Sequence, residues 1–183
     1  NRLAETDDNG EEIEEEPETL TPQIPILLDL LELMGIPIVG ADDYEADDVI
    51  ATLAHESHGP TRIVTGDRDL FQLVDDDRDI KIVYLAKGIS KHDLVDHKWI
   101  AERYEIPGER YALFAMIRGD ASDGLPGIKG IGEKGAAAIA REFRSMSEVI
   151  AAAESSDERL NKKHREKILA DLEYARVAEP LVK

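Results

Sequence analysis

Hydrophobic residues change their spacing along this chain, and the change falls near residue 88. Thr21-Pro22 reads as a helix start, and Ile24, Leu27, Leu28, Leu31 and Leu33 recur at roughly helical spacing up to Met34-Gly35. Ile36-Pro37-Ile38-Val39 then reads as a short strand, Gly40 to Tyr44 as a loop, and Ala46 to His55 as a helix with Val49, Ile50 and Leu53 on one face. Thr61 to Thr65 follows as a strand, Asp69 to Val74 as a short helix and Ile80 to Leu85 as a strand. Such alternation predicts an α/β fold with a parallel sheet flanked by helices. From Ser90 the pattern is wholly helical: Leu94 to Tyr104, Pro107 to Arg118, Glu133 to Phe143, Ser147 to Ala153 and Glu158 to Ala175. Tyr111, Leu113, Phe114, Met116 and Trp99 are the expected core of that portion. The division is therefore 1–88, an α/β portion, and 89–183, a helical portion. Three strands are few for a parallel sheet covered on both faces, so at least one further strand is expected ahead of Asn1.

Charge decides which partners are plausible. The chain of 183 residues is 42% hydrophobic, enough for one substantial core, and has no cysteine for disulfides or thiolate metal sites. It contains no apolar run of membrane-spanning length and no signal sequence, so a cytoplasmic protein with no membrane partner is expected. A net charge of -18 looks wrong for a nucleic-acid protein. However, nine acids lie in residues 1–18, against Arg2 alone, and that run reads as a solvated, poorly ordered loop. Much of the remaining negative charge belongs to the acids discussed next.

Three carboxylate clusters stand out: Glu45-Ala46-Asp47-Asp48, Asp67-Arg68-Asp69 and Asp120-Ala121-Ser122-Asp123. The first opens a helix just after a strand, and the second follows the carboxyl end of a strand, the edge where α/β sheets gather ligands. The third closes the helix Pro107 to Arg118. Taken singly, each is most simply a helix cap with a solvated face. Together, Glu45, Asp47, Asp48, Asp67, Asp69, Asp120 and Asp123 form an all-oxygen donor set, which suits Mg2+ or Mn2+ rather than zinc. Acids gathered this densely repel unless cations neutralise them. Two ions about 4 Å apart would activate water and stabilise the leaving oxygen of a phosphodiester. The histidines add little: His55 and His58 flank the turn Ser57-His58-Gly59-Pro60, and His92, His97 and His164 have no evident partners.

Residues 124–135 form a glycine-punctuated connection between two helices. Gly130-Ile131-Gly132-Glu133-Lys134-Gly135 matches the dinucleotide-binding pattern literally, but no strand precedes it, and Glu133 rather than Lys follows Gly132, which excludes a phosphate loop. No nucleotide cofactor is expected. A tight turn opening onto a helix brings backbone N–H groups close to a phosphate. Gly127, Gly130 and Gly132 would allow that approach, with Lys129 and Lys134 adding point charges. Contacts of this kind position nucleic acid without reading its sequence.

With these residues in view, the chain resembles the 5′-nuclease family: the exonuclease domain of bacterial DNA polymerase I, stand-alone bacterial homologues and flap endonucleases. The resemblance is carried by Tyr44-Glu45-Ala46-Asp47-Asp48-Val49, by Gly66-Asp67-Arg68-Asp69-Leu70 and by Arg118-Gly119-Asp120 through Lys134, and it continues to about residue 175. It implies a resolvase-like α/β portion followed by a helix-three-turn-helix region. It also implies structure-specific 5′-3′ exonuclease and flap endonuclease action on DNA with 5′ ends or flaps, by two metal ions, in primer removal and repair. On that footing Glu45, Asp47 and Asp48 would serve the first metal and Asp67, Asp69, Asp120 and Asp123 the second, with Asp47, Asp67 and Asp120 the central catalytic acids. The segment Gly127 to Lys134 would hold duplex DNA, and a monovalent cation such as K+ would sit on its backbone carbonyls. A monomer is expected. The chain departs from the family pattern in several places. The leading strand and its aspartate are missing, and the arch motif is represented at most by Arg2. Gly124 stands where Asn is usual, and Gly135 stands where Thr is usual, which removes a hydroxyl near the phosphate. Two other functions fit the same residues: a non-catalytic, structure-specific DNA-binding module, and a nuclease acting on RNA.

Overall fold

In the computed structural model, which describes residues 5–6, 12–13, 20–86, 88–120 and 125–182, the chain falls into two units, Asn1–Val49 and Ile50–Lys183. In the first unit, two-residue strands β1 (Glu5–Thr6) and β2 (Glu12–Ile13) pair antiparallel. The rest of the acidic run expected as a loose loop lies outside the described residues. A short 3-10 turn, Thr21–Gln23, leads into helix α1 (Ile24–Leu33), with Pro22 and Pro25 in first turns where a helix needs no N–H donor. The helix ends where the N–H groups of Gly35 and Ile36 donate back to the carbonyls of Glu32 and Leu31. None of its residues is buried, and Leu33 is 84% exposed.

The strand expected at Ile36–Val39 does not form; these residues join no ladder, and Pro37 has no N–H to contribute to one. Helix α2 (Ala46–Glu56) follows, one residue longer than its apolar pattern indicated. In the second unit its last carbonyls are satisfied by Arg78, whose guanidinium donates to the carbonyls of Ala54, His55 and Ser57.

The sheet of the second unit runs β3 (Thr61–Thr65), β4 (Ile80–Tyr84), β5 (Asp93–Val95). β3 and β4 are parallel, with Ile63 opposite Ile82, whereas β5 returns antiparallel with Val95 opposite Ile82. The expectation of a wholly helical chain after Ser90 is therefore corrected. Leu94 and Val95 extend the sheet, and helix α3 (His97–Tyr104) starts only after Asp96, whose side chain accepts the Trp99 N–H at 2.7 Å. Asp96 is an ordinary helix-start residue between the apolar pairs Leu94-Val95 and Trp99-Ile100, and that stretch joins strand to helix.

Helices α4 (Tyr111–Arg118), α5 (Glu133–Glu142), α6 (Met146–Ser155), α7 (Lys162–Ala170) and α8 (Leu172–Val182) complete this unit. The stretch 158–175, expected as one helix, is two. Asn161 caps the start of α7, and the helix breaks at Asp171. Helix α4 is the centre of the packing, with Tyr111, Leu113, Phe114, Ala115, Met116 and Ile117 all buried, so it is covered on nearly every side. Phe71, in a short 3-10 turn (Asp69–Leu73), joins sheet to helices: its ring lies 4.9 Å from Tyr84, 5.5 Å from Trp99 and 5.3 Å from Tyr111, centre to centre. The alanines of α5, Ala136, Ala137 and Ala140, are buried and let that helix come close to its neighbours.

Candidate active site and nucleic-acid interface

The acids sit at element ends, as their spacing predicts. Glu45 directly precedes α2, and Asp48 Oδ2 accepts the Glu45 N–H at 3.0 Å, so Asp48 closes the first turn of its own helix. Asp47 and Asp48 both lie in that turn, where the helix dipole favours negative charge. In the second unit, β3 runs into Gly66-Asp67-Arg68-Asp69. The Asp67 N–H donates to Thr65 Oγ1 at 2.9 Å, and Asp67 Oδ1 accepts the Asp69 N–H at 2.8 Å. The carboxylate of Asp67 is thereby held at the carboxyl end of the strand.

Asp120 follows α4 and is brought to that strand end by arginines. Its Oδ2 accepts from Arg118 Nη2 at 2.9 Å and from Arg68 Nη2 at 3.1 Å, across 52 residues of sequence in the second case. Arg118 also donates to the Gly119 carbonyl and lies over the Phe114 ring. Burial is the largest influence on Arg68 and works against its charge, but Asp120 together with Tyr111, Tyr104 and Tyr84 outweighs it and raises the arginine above its ordinary pKa. The mutual repulsion expected among the acids is thus relieved at Asp120 by cations of the chain itself. Both arginines stand beside acids in the sequence, Asp67-Arg68-Asp69 and Arg118-Gly119-Asp120, a signal that the charge pattern contained.

The structure brings Asp67, Asp69 and Asp120 to one region of the second unit through Arg68. Glu45, Asp47 and Asp48 lie in the first unit, and Asp123 lies outside the described residues. Among the described residues no three His, Asp or Glu side chains are grouped closely enough to hold a metal ion. The donors nevertheless remain all oxygen, the chemistry that suits a hard divalent cation.

The loop carrying Asp120 is tied to the hairpin through the backbone. Asp120 and Leu125 exchange N–H···O bonds at 2.8 and 2.9 Å, and the Ile128 N–H donates to the Ile117 carbonyl at 3.0 Å. Gly119 and Gly127 face one another in this crossing. A β-carbon on Gly127, at φ +67°, would lie 2.6 Å from the Arg118 carbonyl oxygen, so the approach admits no side chain. Gly127 is buried, and its part is to shape the turn. Ile128 and Ile131 pin the turn into the core, while Lys129, Gly130, Gly132 and Lys134 are exposed on its outer side. The Lys129 N–H donates to Asp171 Oδ2, and the Lys167 ammonium donates to the Gly130 carbonyl. Where the resemblance implied a monovalent cation on hairpin carbonyls, one of those carbonyls therefore already holds a lysine. Lys163, His164 and Lys167 on α7 adjoin the hairpin, and the sequence reading did not assign them. Their signal was the basic run Lys162-Lys163-His164-Arg165 at a helix start.

The fold and site define a class, a resolvase-like α/β domain followed by a helix–hairpin–helix domain. Residues 4–105 match the family described as 5'-3' exonuclease, N-terminal resolvase-like domain, and residues 106–183 match 5'-3' exonuclease, C-terminal SAM fold. The chain belongs to the 5'-3' exonuclease family. It is 44% identical over 182 residues to a 5'-3' exonuclease of Streptomyces coelicolor, covering 100% of this chain and 60% of the relative. To a 5'-3' exonuclease of Mycobacterium tuberculosis it is 42% identical over 189 residues, covering 100% and 59%. The DNA polymerase I of Thermus aquaticus is 34% identical over 170 residues, covering 91% of this chain and 19% of that protein. The chain thus spans about three-fifths of the stand-alone relatives. Among solved structures, the T5 D15 protein co-crystallized with metal ions superposes with a TM-score of 0.69 at 22% identity, covering 92% of this chain and 64% of that one. At that identity the likeness is one of fold.

Proposed function

We propose that the intact protein is a divalent-metal-dependent, structure-specific 5′-nuclease that hydrolyses DNA phosphodiesters at 5′ ends and flaps. The observation that carries this reading is the backbone link between Asp120 and the hairpin. The Asp120–Leu125 pair and the Ile128–Ile117 bond hold an acid of the metal set at a fixed distance from the turn that would grip the duplex. A nuclease that measures from duplex to cleavage point needs that rigidity. The names of the stand-alone relatives, 5'-3' exonuclease, support it.

In this reading Glu45, Asp47, Asp48, Asp67, Asp69, Asp120 and Asp123 hold Mg2+ or Mn2+, with Asp47, Asp67 and Asp120 central. The ions, when bound, supply an activated water and charge neutralisation at the leaving oxygen. Asp67 is oriented by its bond to the Asp69 N–H, and Arg118 and Arg68 orient Asp120. Lys129, Gly130, Gly132 and Lys134 face the duplex backbone, and Gly127 sets the turn. The division into a metal-site portion, 1–88, and a DNA-binding portion, 89–183, belongs to the same reading. A K+ ion at the hairpin would share the Gly130 carbonyl with Lys167 or use its neighbours. Among the described residues no helix is long and apolar enough to cross a membrane.

The rival is a DNA-binding module without turnover. It is favoured by one fact, that Asp48 and Asp67 both spend an oxygen on closing a turn. Titrating Mg2+ against the intact protein and a labelled flap substrate separates the two. The nuclease gives metal-dependent cleavage, and Asp67→Asn, which keeps an acceptor for the Asp69 N–H, abolishes it while duplex binding stays within about twofold. Cleavage undiminished in Asp67→Asn would remove Asp67 from the metal set, and no cleavage by the wild type at any Mg2+ concentration would leave the binding module.

A further inference from the structure

A cavity of about 360 Å³ lies between Gly130–Gly135 of the hairpin and the first turns of α7, with Lys134, Lys163, Lys167 and His164 on its wall. Among the described residues none of these three lysines is ion-paired with a carboxylate, although Lys162 beside them pairs with Glu166. The site is therefore cationic, open and offers N–H donors.

His164 occupies a particular place in it. A β-carbon at Gly135 would lie 2.9 Å from Ile131 Cγ2 and 3.0 Å from His164 Nε2, so the imidazole stands where a side chain of residue 135 would begin. Asn161 sets the state of that ring. Its Oδ1 accepts the His164 backbone N–H at 2.8 Å, capping α7, and this fixes which end of the amide is oxygen. Its Nδ2 is then the atom 2.9 Å from His164 Nδ1, and an NH2 group can only donate, so Nδ1 accepts. The neutral ring consequently carries its proton on Nε2, the nitrogen on the Gly135 side.

We infer that His164, with its Nε2–H oriented by Asn161, donates a hydrogen bond to a backbone phosphate of duplex DNA and supplies the polar group that Gly135 lacks. The inference rests on the duplex-binding reading of the hairpin. A phosphate oxygen in this cavity would meet lysine ammonium groups and one directional N–H, so the lysines attract and the histidine positions. The charged groups facing His164 are Lys163 and Lys167 on its own helix and Lys134 and Glu133 at the start of α5.

The test is fluorescence anisotropy of a labelled flap duplex with the intact protein in metal-free buffer at pH 8. His164→Phe, which keeps a ring and loses the donor, should weaken binding about five- to tenfold, the range of one lost hydrogen bond. His164→Gln, which restores an N–H, should stay within about twofold of wild type. Asn161→Asp preserves the α7 cap but offers Nδ1 only oxygen, so it shifts the neutral ring's proton away from Nε2; binding should fall at pH 8 and recover as the pH is lowered far enough to protonate both nitrogens. If His164→Phe binds like wild type while Lys134→Ala is weakened, the role of His164 is overturned and the duplex reading stands. If the wild type fails to bind duplex at all, both fall together. Inorganic phosphate at the concentration of the duplex phosphates should leave binding unchanged, and displacement by it would assign the cavity to a free anion and overturn the inference.

Discussion

Asp120 holds two arginines and also belongs to the proposed metal set. Arg118 and Asp120 are each only 10% exposed at their side chains, whereas Arg68 is 44% exposed, so the Arg118 pair carries most of the structural consequence. Removing one member of such a pair leaves the other charge poorly solvated. Asp120→Ala is expected to cost about 3 kcal/mol of stability in addition to cleavage, read as a lowered urea midpoint. Adding Arg118→Met removes the stranded charge and should return stability to within about 1 kcal/mol of wild type, with cleavage still absent. An unchanged midpoint in the single variant would show that the pair contributes nothing to the fold. The acid was visible in the sequence from its cluster. Its partners were not singled out, because adjacency to an acid does not say which arginine turns toward it.

At the scale of elements, α7 shows how one cap can serve both stability and a site. Asn161 closes the helix through Oδ1 and orders His164 through Nδ2. Burial first, then Lys167 and Lys163, hold the His164 imidazole below its ordinary pKa of 6.5. The unfolded chain therefore takes up this proton at a higher pH than the folded protein. The contribution to stability is complete above about the ordinary value, declines as pH falls below it, and levels off once pH passes the lowered folded value. Thermal unfolding followed from pH 8 to pH 5 should show this loss, and His164→Gln should remove that part of the slope. An equal slope in the variant would move the titration elsewhere. In the sequence His164 was one of several histidines without a partner, since Asn161 becomes its neighbour when the start of α7 forms and Gly135 only when α7 folds against the hairpin.

For the whole molecule, the question posed by a net charge of -18 is answered by distribution. Sixteen of the 40 acids that oppose DNA binding are in residues 1–18 or in the proposed metal set, while Lys134, Lys163 and Lys167 gather on one cavity. Duplex affinity should fall linearly in log–log form with salt, and Lys134→Ala should lower that slope by about one, uniformly across sequences. A slope identical to wild type would remove Lys134 from the phosphate contact. Screening is strong beyond about 10 Å at moderate salt, so the distant acids weigh little on a contact made in the cavity.

The sequence by itself determined the order of most elements, the central place of Tyr111, Leu113, Phe114 and Met116, the carboxylate clusters at element ends and the glycine-rich hairpin. These are local matters of spacing, capping and turn chemistry. It misassigned Ile36–Val39, where an apolar run lacks a ladder, and Leu94–Val95, where strand and helix share one stretch, because periodicity in a short segment does not reveal its neighbours. Only the tertiary structure decided that β5 returns antiparallel, that Arg118 and Arg68 converge on Asp120, that Gly119 and Gly127 cross without room for a β-carbon, and that His164 fills the space beside Gly135. The Arg68–Asp120 and Gly135–His164 contacts join residues far apart in the chain, and in every case packing rather than local preference sets the outcome.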